Sequence, residues 1–335
     1  MSSESDVRLV VVDDSLVRRA ELTTSLGTDG LSILEYADGP GSAVEAVRRL
    51  RPQVVTVSLQ MEGNGGQASI EALMANTPVP ILVLSAAAQG RASLAAMDAL
   101  GAGALDVLAW PLRWEKGHME DLHRRVRSLC GITVLHHPRG NRRPTHPPER
   151  SATCVALAAS TGGPPALAAV LAGLRDIPAP VLVVQHLHAD FLDGFVKWMA
   201  RASAMPVRLA VDGVAPTAGV VHVAPAGRHL HLGADGRMHL VVRPARLHRP
   251  SADELFSSIA SSCGVQGIGV VLSGMGDDGA EGLLALKEAG GSTLAQDEET
   301  SAVWGMPQAA WRRGAVQGLL PLDQIAGAVR RRLRP

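Results

Sequence analysis

Cysteine is scarce in this chain of 335 residues, with only Cys130, Cys154 and Cys263. They are far apart, odd in number and without metal-type spacing. That excludes a disulfide framework and a thiolate metal centre, and it points to free thiols in a reducing compartment. Net charge is missing as well. Lys+Arg and Asp+Glu both total 32, so composition offers no reason to expect nucleic acid or a membrane surface as a partner. The first residues, Met1-Ser-Ser-Glu-Ser-Asp6, carry no basic segment followed by an apolar one, and no run is long enough for a membrane helix. A cytoplasmic protein without membrane insertion is the expectation. No internal repeat stands out, and a monomer is the default.

What is present is alternation. Arg8–Asp13, Leu31–Glu35, Val54–Ser58, Ile81–Ser85 and Ala104–Ala109 read as strands. Val17–Leu26, Ala43–Leu50 and Glu115–Leu129 read as helices. Strands alternating with helices imply a parallel sheet covered on both faces. From His136 to Arg150, apolar periodicity gives way to Pro, Arg and His, the composition of an extended linker. Beyond it the alternation resumes, with Val181–Val184 and Gly269–Leu272 as buried strands. Val220–Pro225 and His229–Leu232, flanking Gly227, suggest a hairpin. The fold class expected is α/β: two doubly wound parallel-sheet domains, at residues 1–130 and 151–335, joined by a linker at 131–150.

Three strand ends in the second half carry chemistry. Val155-Ala-Leu-Ala-Ala-Ser160 runs into Thr161-Gly-Gly-Pro-Pro165, which places a hydroxyl at a strand-to-helix corner. Gln185-His186-Leu-His188 follows Val181–Val184, and Gly274-Met-Gly-Asp-Asp278-Gly follows Val270–Leu272. A parallel sheet brings all three to one edge. Ser160, His186 and Asp278 are then a nucleophile, its general base and the carboxylate that orients the base. Each also has a plainer reading. Ser160 could be a helix cap or part of a phosphate cradle, although it fits neither glycine-rich phosphate pattern. His186 could be structural, and Asp277-Asp278 only a turn. His186-x-His188-x-Asp190 could instead be part of a metallohydrolase site, though a third histidine nearby is wanting.

At these residues the second half resembles the catalytic domain of the chemotaxis protein-glutamate methylesterases of the CheB type. The matching segments are Ala159-Ser-Thr-Gly-Gly163, Val184-Gln-His186, Val223-Ala-Pro-Ala-Gly-Arg-His229, Arg249-Pro-Ser-Ala-Asp-Glu-Leu-Phe256, Ser273-Gly-Met-Gly-Asp-Asp-Gly-Ala280 and Val303-Trp-Gly-Met-Pro307. The resemblance implies a serine esterase, flavodoxin-like and Rossmann-like in its two domains. Such an esterase removes methyl groups from glutamate methyl esters on chemoreceptor helices, and members also deamidate receptor glutamines. It carries the three catalytic roles to Ser160, His186 and Asp278, and adds Thr161 and the Met275 N–H as holders of the tetrahedral intermediate. It implies no cofactor for catalysis. Methylated chemoreceptor helices, and a chemotaxis histidine kinase or array protein, are the implied partners. His188 departs from the Pro usual in the family, and Leu209 from a frequent acid.

The first half resembles a response-regulator receiver. Val11-Val-Asp-Asp-Ser15 carries the acidic pair, Asp13 and Asp14, that helps hold Mg²⁺ in such domains. Ser58, however, stands at the phospho-accepting Asp, and Trp110 at the Lys. The implied unit is a degenerate receiver, with a weak or vestigial Mg²⁺ site and no phosphoryl acceptor. Two alternatives to the esterase stay open at this point: a masked scaffold of a chemosensory array, and a metal-dependent hydrolase.

Overall fold

The computed structural model describes residues 6–26, 30–86, 91–132 and 154–333. The chain divides into two compact units, Met1–His136 and His137–Pro335. Beyond Ile132, the linker expected at 131–150 lies outside the described residues.

The first unit contains β1 (Val7–Val12), α1 (Leu16–Leu26), β2 (Leu31–Ala37), α2 (Pro40–Leu50), β3 (Val54–Ser58), α3 (Gly65–Asn76), β4 (Ile81–Ala86), α4 (Arg91–Gly101), β5 (Asp106–Trp110) and α5 (Lys116–Leu129). Its sheet runs β2-β1-β3-β4-β5 and is parallel throughout. This is the flavodoxin-like doubly wound order. β1 and β3 are apolar runs, buried nearly end to end, as strands covered by helices on both faces must be.

The second unit contains β6 (Cys154–Ala159), α6 (Gly163–Ala172), β7 (Val181–Gln185), α7 (Leu192–Ser203), β8 (Val207–Leu209), β9 (Val221–Val223), β10 (His229–Leu232), β11 (Met238–Val241), α8 (Ala252–Ser262), β12 (Gly267–Val271), α9 (Ala280–Glu288), β13 (Ser292–Gln296), α10 (Met306–Arg312), β14 (Gly318–Leu320) and α11 (Leu322–Leu333). Seven of these strands form a sheet in the order β14-β13-β12-β6-β7-β9-β8, again parallel. Part of its core joins Ala156 and Leu182 of the sheet to Leu255, Phe256, Leu283 and Met306 of the helices.

The hairpin is not where the sequence suggests. β9 pairs in parallel with β7 and β8, while β10 pairs antiparallel with β11. The reversal is made at Gly233–Arg237, where the Gly233 N–H donates to the Arg237 carbonyl at 2.8 Å and Gly236 takes φ +73°. The Gly227 turn only carries the chain out of the large sheet.

Candidate active site

β6 lies between β12 and β7. Chain order reverses at β6, and the crevice beyond the carboxyl ends of such strands is the usual ligand site of an open α/β sheet. Ala159 and Gln185 are register partners, and the His186 N–H donates to the Ala159 carbonyl at 3.0 Å. Ser160 and His186 are therefore the next pair outward on strands about 4.8 Å apart. Gln185 ties them together, because its side-chain N–H groups donate to the Ser160 carbonyl (2.9 Å) and the His186 carbonyl (3.1 Å). On the β12 side, the Ser160 N–H donates to the Ser273 carbonyl at 3.0 Å.

The hydroxyl of Ser160 is not a helix cap. The cap position of α6 belongs to Gly162 at φ +71°, with no side-chain capping bond, and Pro164 and Pro165 fill the first turn. A methyl group at Gly162 would meet Ala302 Cβ at 2.5 Å. Glycine alone lets the chain turn this tightly and leaves the hydroxyl uncommitted.

His186 and Asp278 form a buried pair, with Nε2 to Oδ2 at 2.8 Å and both side chains 9% exposed. Asp278 is held from all sides. The Ser251 hydroxyl donates to Oδ1 at 2.7 Å, the Asp253 N–H to Oδ1 at 3.0 Å, and the Ala252 N–H to Oδ2 at 2.7 Å. These donors are the cap and first turn of α8, where unpaired N–H groups and the helix dipole favour an anion. Burial opposes the charge on Asp278, but His186 and the α8 N–H groups outweigh it and hold the carboxyl well below the usual range. The arrangement is reciprocal: Asp253 of α8 accepts N–H bonds from Gly279 and Gly282 at the start of α9, at 2.9 and 2.8 Å. Two helices thus cap each other, and that exchange fixes the carboxylate.

With Nε2 donating to Asp278, Nδ1 is the nitrogen left to take a proton, and it is buried without a partner. The Ser160–His186 hydrogen bond of roughly 2.6–3.2 Å expected of a working pair is not made in this resting arrangement. Such contacts often tighten only when substrate is bound.

Gly274 packs directly on the serine. A methyl there would lie 2.9 Å from Ser160 Cβ and 2.3 Å from Met306 Sδ. Its N–H donates to the Val303 carbonyl at 3.0 Å, and its carbonyl accepts from Gly305 and Met306 at 3.0 and 2.8 Å. Met275 comes immediately after it, and neither its N–H nor that of Thr161 donates to an acceptor among the described residues. These two N–H groups, on the residue after Ser160 and on the residue after Gly274, are therefore without other work among the described residues.

His248 is a site residue that sequence reasoning missed. Its ring stacks on His186 at a centroid distance of 4.3 Å and an interplanar angle of 14°. It lies in an irregular loop with no periodicity to mark it. Ser251 did carry a signal, since Ser251-Ala-Asp-Glu254 is the S-x-x-E pattern of a helix start. The metal reading of His186-x-His188-x-Asp190 finds no convergence. His186 turns to Asp278, whereas His188 is exposed and lies 3.4 Å from the Asp190 carboxylate.

At the corresponding edge of the first unit, Asp13 is fully buried. Arg18 Nε meets its two oxygens at 3.1 and 2.8 Å, and Arg18 Nη2 meets Asp14 Oδ1 at 3.0 Å and the Gln60 carbonyl at 3.1 Å. The second oxygen of Asp14 accepts the Glu62 N–H at 2.7 Å. A guanidinium therefore sits among the oxygens that a cation would use, and its bonds to Asp13 and the charge of both acids raise its own pKa further. Mg²⁺ requires near-octahedral oxygens and an open approach, which these committed oxygens do not fit. No group of three or more His, Cys, Asp or Glu suited to a metal ion occurs among the described residues. Ser58 is buried with its hydroxyl unpaired, and Trp110 packs edge-to-face on Trp114 at 5.4 Å.

The CheB methylesterase family model matches residues 155–329, and that of the response regulator receiver domain matches residues 9–120. Protein-glutamate methylesterase/protein-glutamine glutaminase 2 of Anaeromyxobacter dehalogenans is 44% identical over 97% of this chain and 96% of its own length. The enzyme numbered 3 of Paramagnetospirillum magneticum is 37% identical over 98% and 97%. Among solved structures, the CheB methylesterase catalytic domain of Thermotoga maritima is 32% identical, with a TM-score of 0.51, over 54% of this chain and 98% of that one. No helix among the described residues is long and apolar enough to cross a membrane.

Proposed function

Because this chain belongs to the CheB methylesterase family, and is a protein-glutamate methylesterase with a receiver-like first unit, we propose that Ser160, His186 and Asp278 carry its reaction. Ser160 Oγ attacks the carbonyl carbon of a glutamate methyl ester as His186 Nδ1 takes the hydroxyl proton. The oxyanion forms beside the Met275 and Thr161 N–H groups. His186 returns the proton to the departing methoxide, which leaves as methanol. Water repeats the sequence on the acyl-serine and releases glutamate. A glutamine side chain follows the same route with ammonia as the leaving group. The observation that carries this reading is the His186–Asp278 pair, whose Nδ1 has no other partner, on the residue next outward from Gln185 as Ser160 is from its register partner Ala159.

The substrates are methylated chemoreceptors, and their cytoplasmic helices are the segment we assign. Three free thiols suit that reducing compartment. The test is methanol release from a methylated receptor fragment by the full chain. Turnover unchanged by a chelator is expected, and chelator-sensitive turnover would replace this mechanism by a metal-dependent one.

The first unit takes no phosphoryl group in this reading. Ser58 offers no carboxylate for an acyl phosphate, Trp110 offers no cation, and Arg18 occupies the acidic pair. A histidine kinase or array protein meets a surface that phosphorylation does not change. Incubation with acetyl phosphate and Mg²⁺ is expected to leave the intact mass unchanged, and Mg²⁺ alone to leave the melting temperature unchanged. A base-labile phosphoryl adduct ahead of Glu115 would overturn this.

A further inference from the structure

Residues 242–250 connect β11 to α8 and stand beside the catalytic imidazole through the His248–His186 stack. The loop is firmly held at its base. His229 Nε2 is 3.0 Å from the Pro244 carbonyl, and His229 Nδ1 accepts the Ser251 N–H at 3.1 Å. The Gly227 N–H donates to the Arg249 carbonyl at 3.1 Å. Arg246 is also committed, with Nε 2.9 Å from Glu254 and Nη1 3.6 Å from Glu281. Other side chains of the loop face outward. Leu247 is 93% exposed and Val242 is 50% exposed. The exposed guanidinium groups of Arg243 and Arg249 make no ion pair or hydrogen bond among the described residues. A fixed loop next to a reactive centre that points a leucine and two uncommitted guanidinium groups outward has the composition of a contact surface: an apolar anchor with a polar, charged rim.

We propose that this loop is the substrate rim, and that it selects a helix bearing carboxylates beside the ester to be cleaved. The inference rests on the methylesterase reading above. Chemistry identifies the occupant. A helix that carries several esterified or amidated glutamates gains one carboxylate at every turnover, so the substrate becomes a better match to Arg243 and Arg249 as the reaction proceeds. Leu247 meets the apolar stripe of the same helix, and His248 guards the approach to His186.

The full chain tests this with Arg243→Glu/Arg249→Glu, Arg243→Lys/Arg249→Lys and Leu247→Ser, on two substrates: a methylated receptor helix fragment and a small N-acyl glutamate methyl ester. Charge reversal is expected to lower kcat/KM for the fragment about tenfold relative to the small ester, through KM, and to flatten its salt dependence. The lysine pair keeps most of the rate, and Leu247→Ser loses part of it. Binding of the fragment is measured in parallel in a Ser160→Ala background, where charge reversal raises Kd by a similar factor. Equal losses on both substrates, or unchanged binding, would overturn the rim. Weakened binding in a protein that releases no methanol would leave the rim standing and remove the reaction assigned above.

Discussion

Ser160→Ala lowers the rate of methyl-ester hydrolysis by about four to six orders of magnitude, or about 5–8 kcal/mol of transition-state stabilisation. The expectation rests on what the hydroxyl does and does not do. It has no hydrogen bond of its own among the described residues, and it follows a strand whose neighbour leads to His186, where Nδ1 is also unpaired. No water held in its place would have the same alignment, and holding reactants in place is a large part of the acceleration. The residual rate comes from the backbone donors and substrate binding, which survive the substitution. Stability provides the control. Among the described residues the hydroxyl makes no hydrogen bond, and every bond that pins Ser160 is to its backbone. The variant is therefore expected to melt within about 0.5 kcal/mol of the parent, as a substitution that breaks no buried contact should. Methanol release and a melting curve on the same preparation decide the matter. A folded variant with full esterase activity would remove Ser160 as nucleophile.

Much of the layout is legible in the sequence alone, for a physical reason. Buried parallel strands must be apolar along their length, so β1, β3, β6, β7 and β12 announce themselves, and the residues just past the end of each strand lie at the carboxyl edge. That is why Ser160, His186 and Asp278 could be brought together from positions far apart in the chain. β9 is less legible. Val221–Val223 has only three residues, too few to separate a strand of the large sheet from one arm of a hairpin, and Gly227 draws the turn to the wrong place. The contacts that complete the site are hidden for another reason. His248 and Gln185 act through tertiary geometry, by a ring stack and by bonds to two carbonyls, and neither leaves a periodic trace. Arg18, in the first turn of α1, reaches back to Asp13 and Asp14, which precede the helix. That position 58 is a serine is plain from the sequence, whereas the guanidinium among Asp13 and Asp14 is not.

Asp278→Asn is expected to lower kcat by about three to four orders of magnitude, because a neutral amide can neither stabilise the imidazolium nor fix the tautomer that leaves Nδ1 free. The site is unusually hostile to the change. All four neighbours of the carboxylate donate: the Ser251 hydroxyl, the Ala252 and Asp253 N–H groups, and His186 Nε2. An asparagine amide must turn an NH₂ toward two of them. One donor then faces another in a buried space, at a cost of about 1–3 kcal/mol, and the start of α8 loses its anion as well. Activity and stability should therefore fall together in this variant. Ser251→Ala separates the two, because it removes one orienting bond and leaves the charge, so its loss of rate should be far smaller than that of Asp278→Asn. The pH dependence gives an independent check. A carboxyl held below its ordinary range is ionised through the neutral region. Its stabilising contribution is complete above about pH 4 and is lost only in stronger acid, as pH falls through its folded pKa. The part of acid unfolding that this carboxylate carries is then expected to be missing from Asp278→Asn. If Asp278→Asn stayed within tenfold of the parent while folded, the carboxylate would be a structural cap of α8 and no member of the catalytic group.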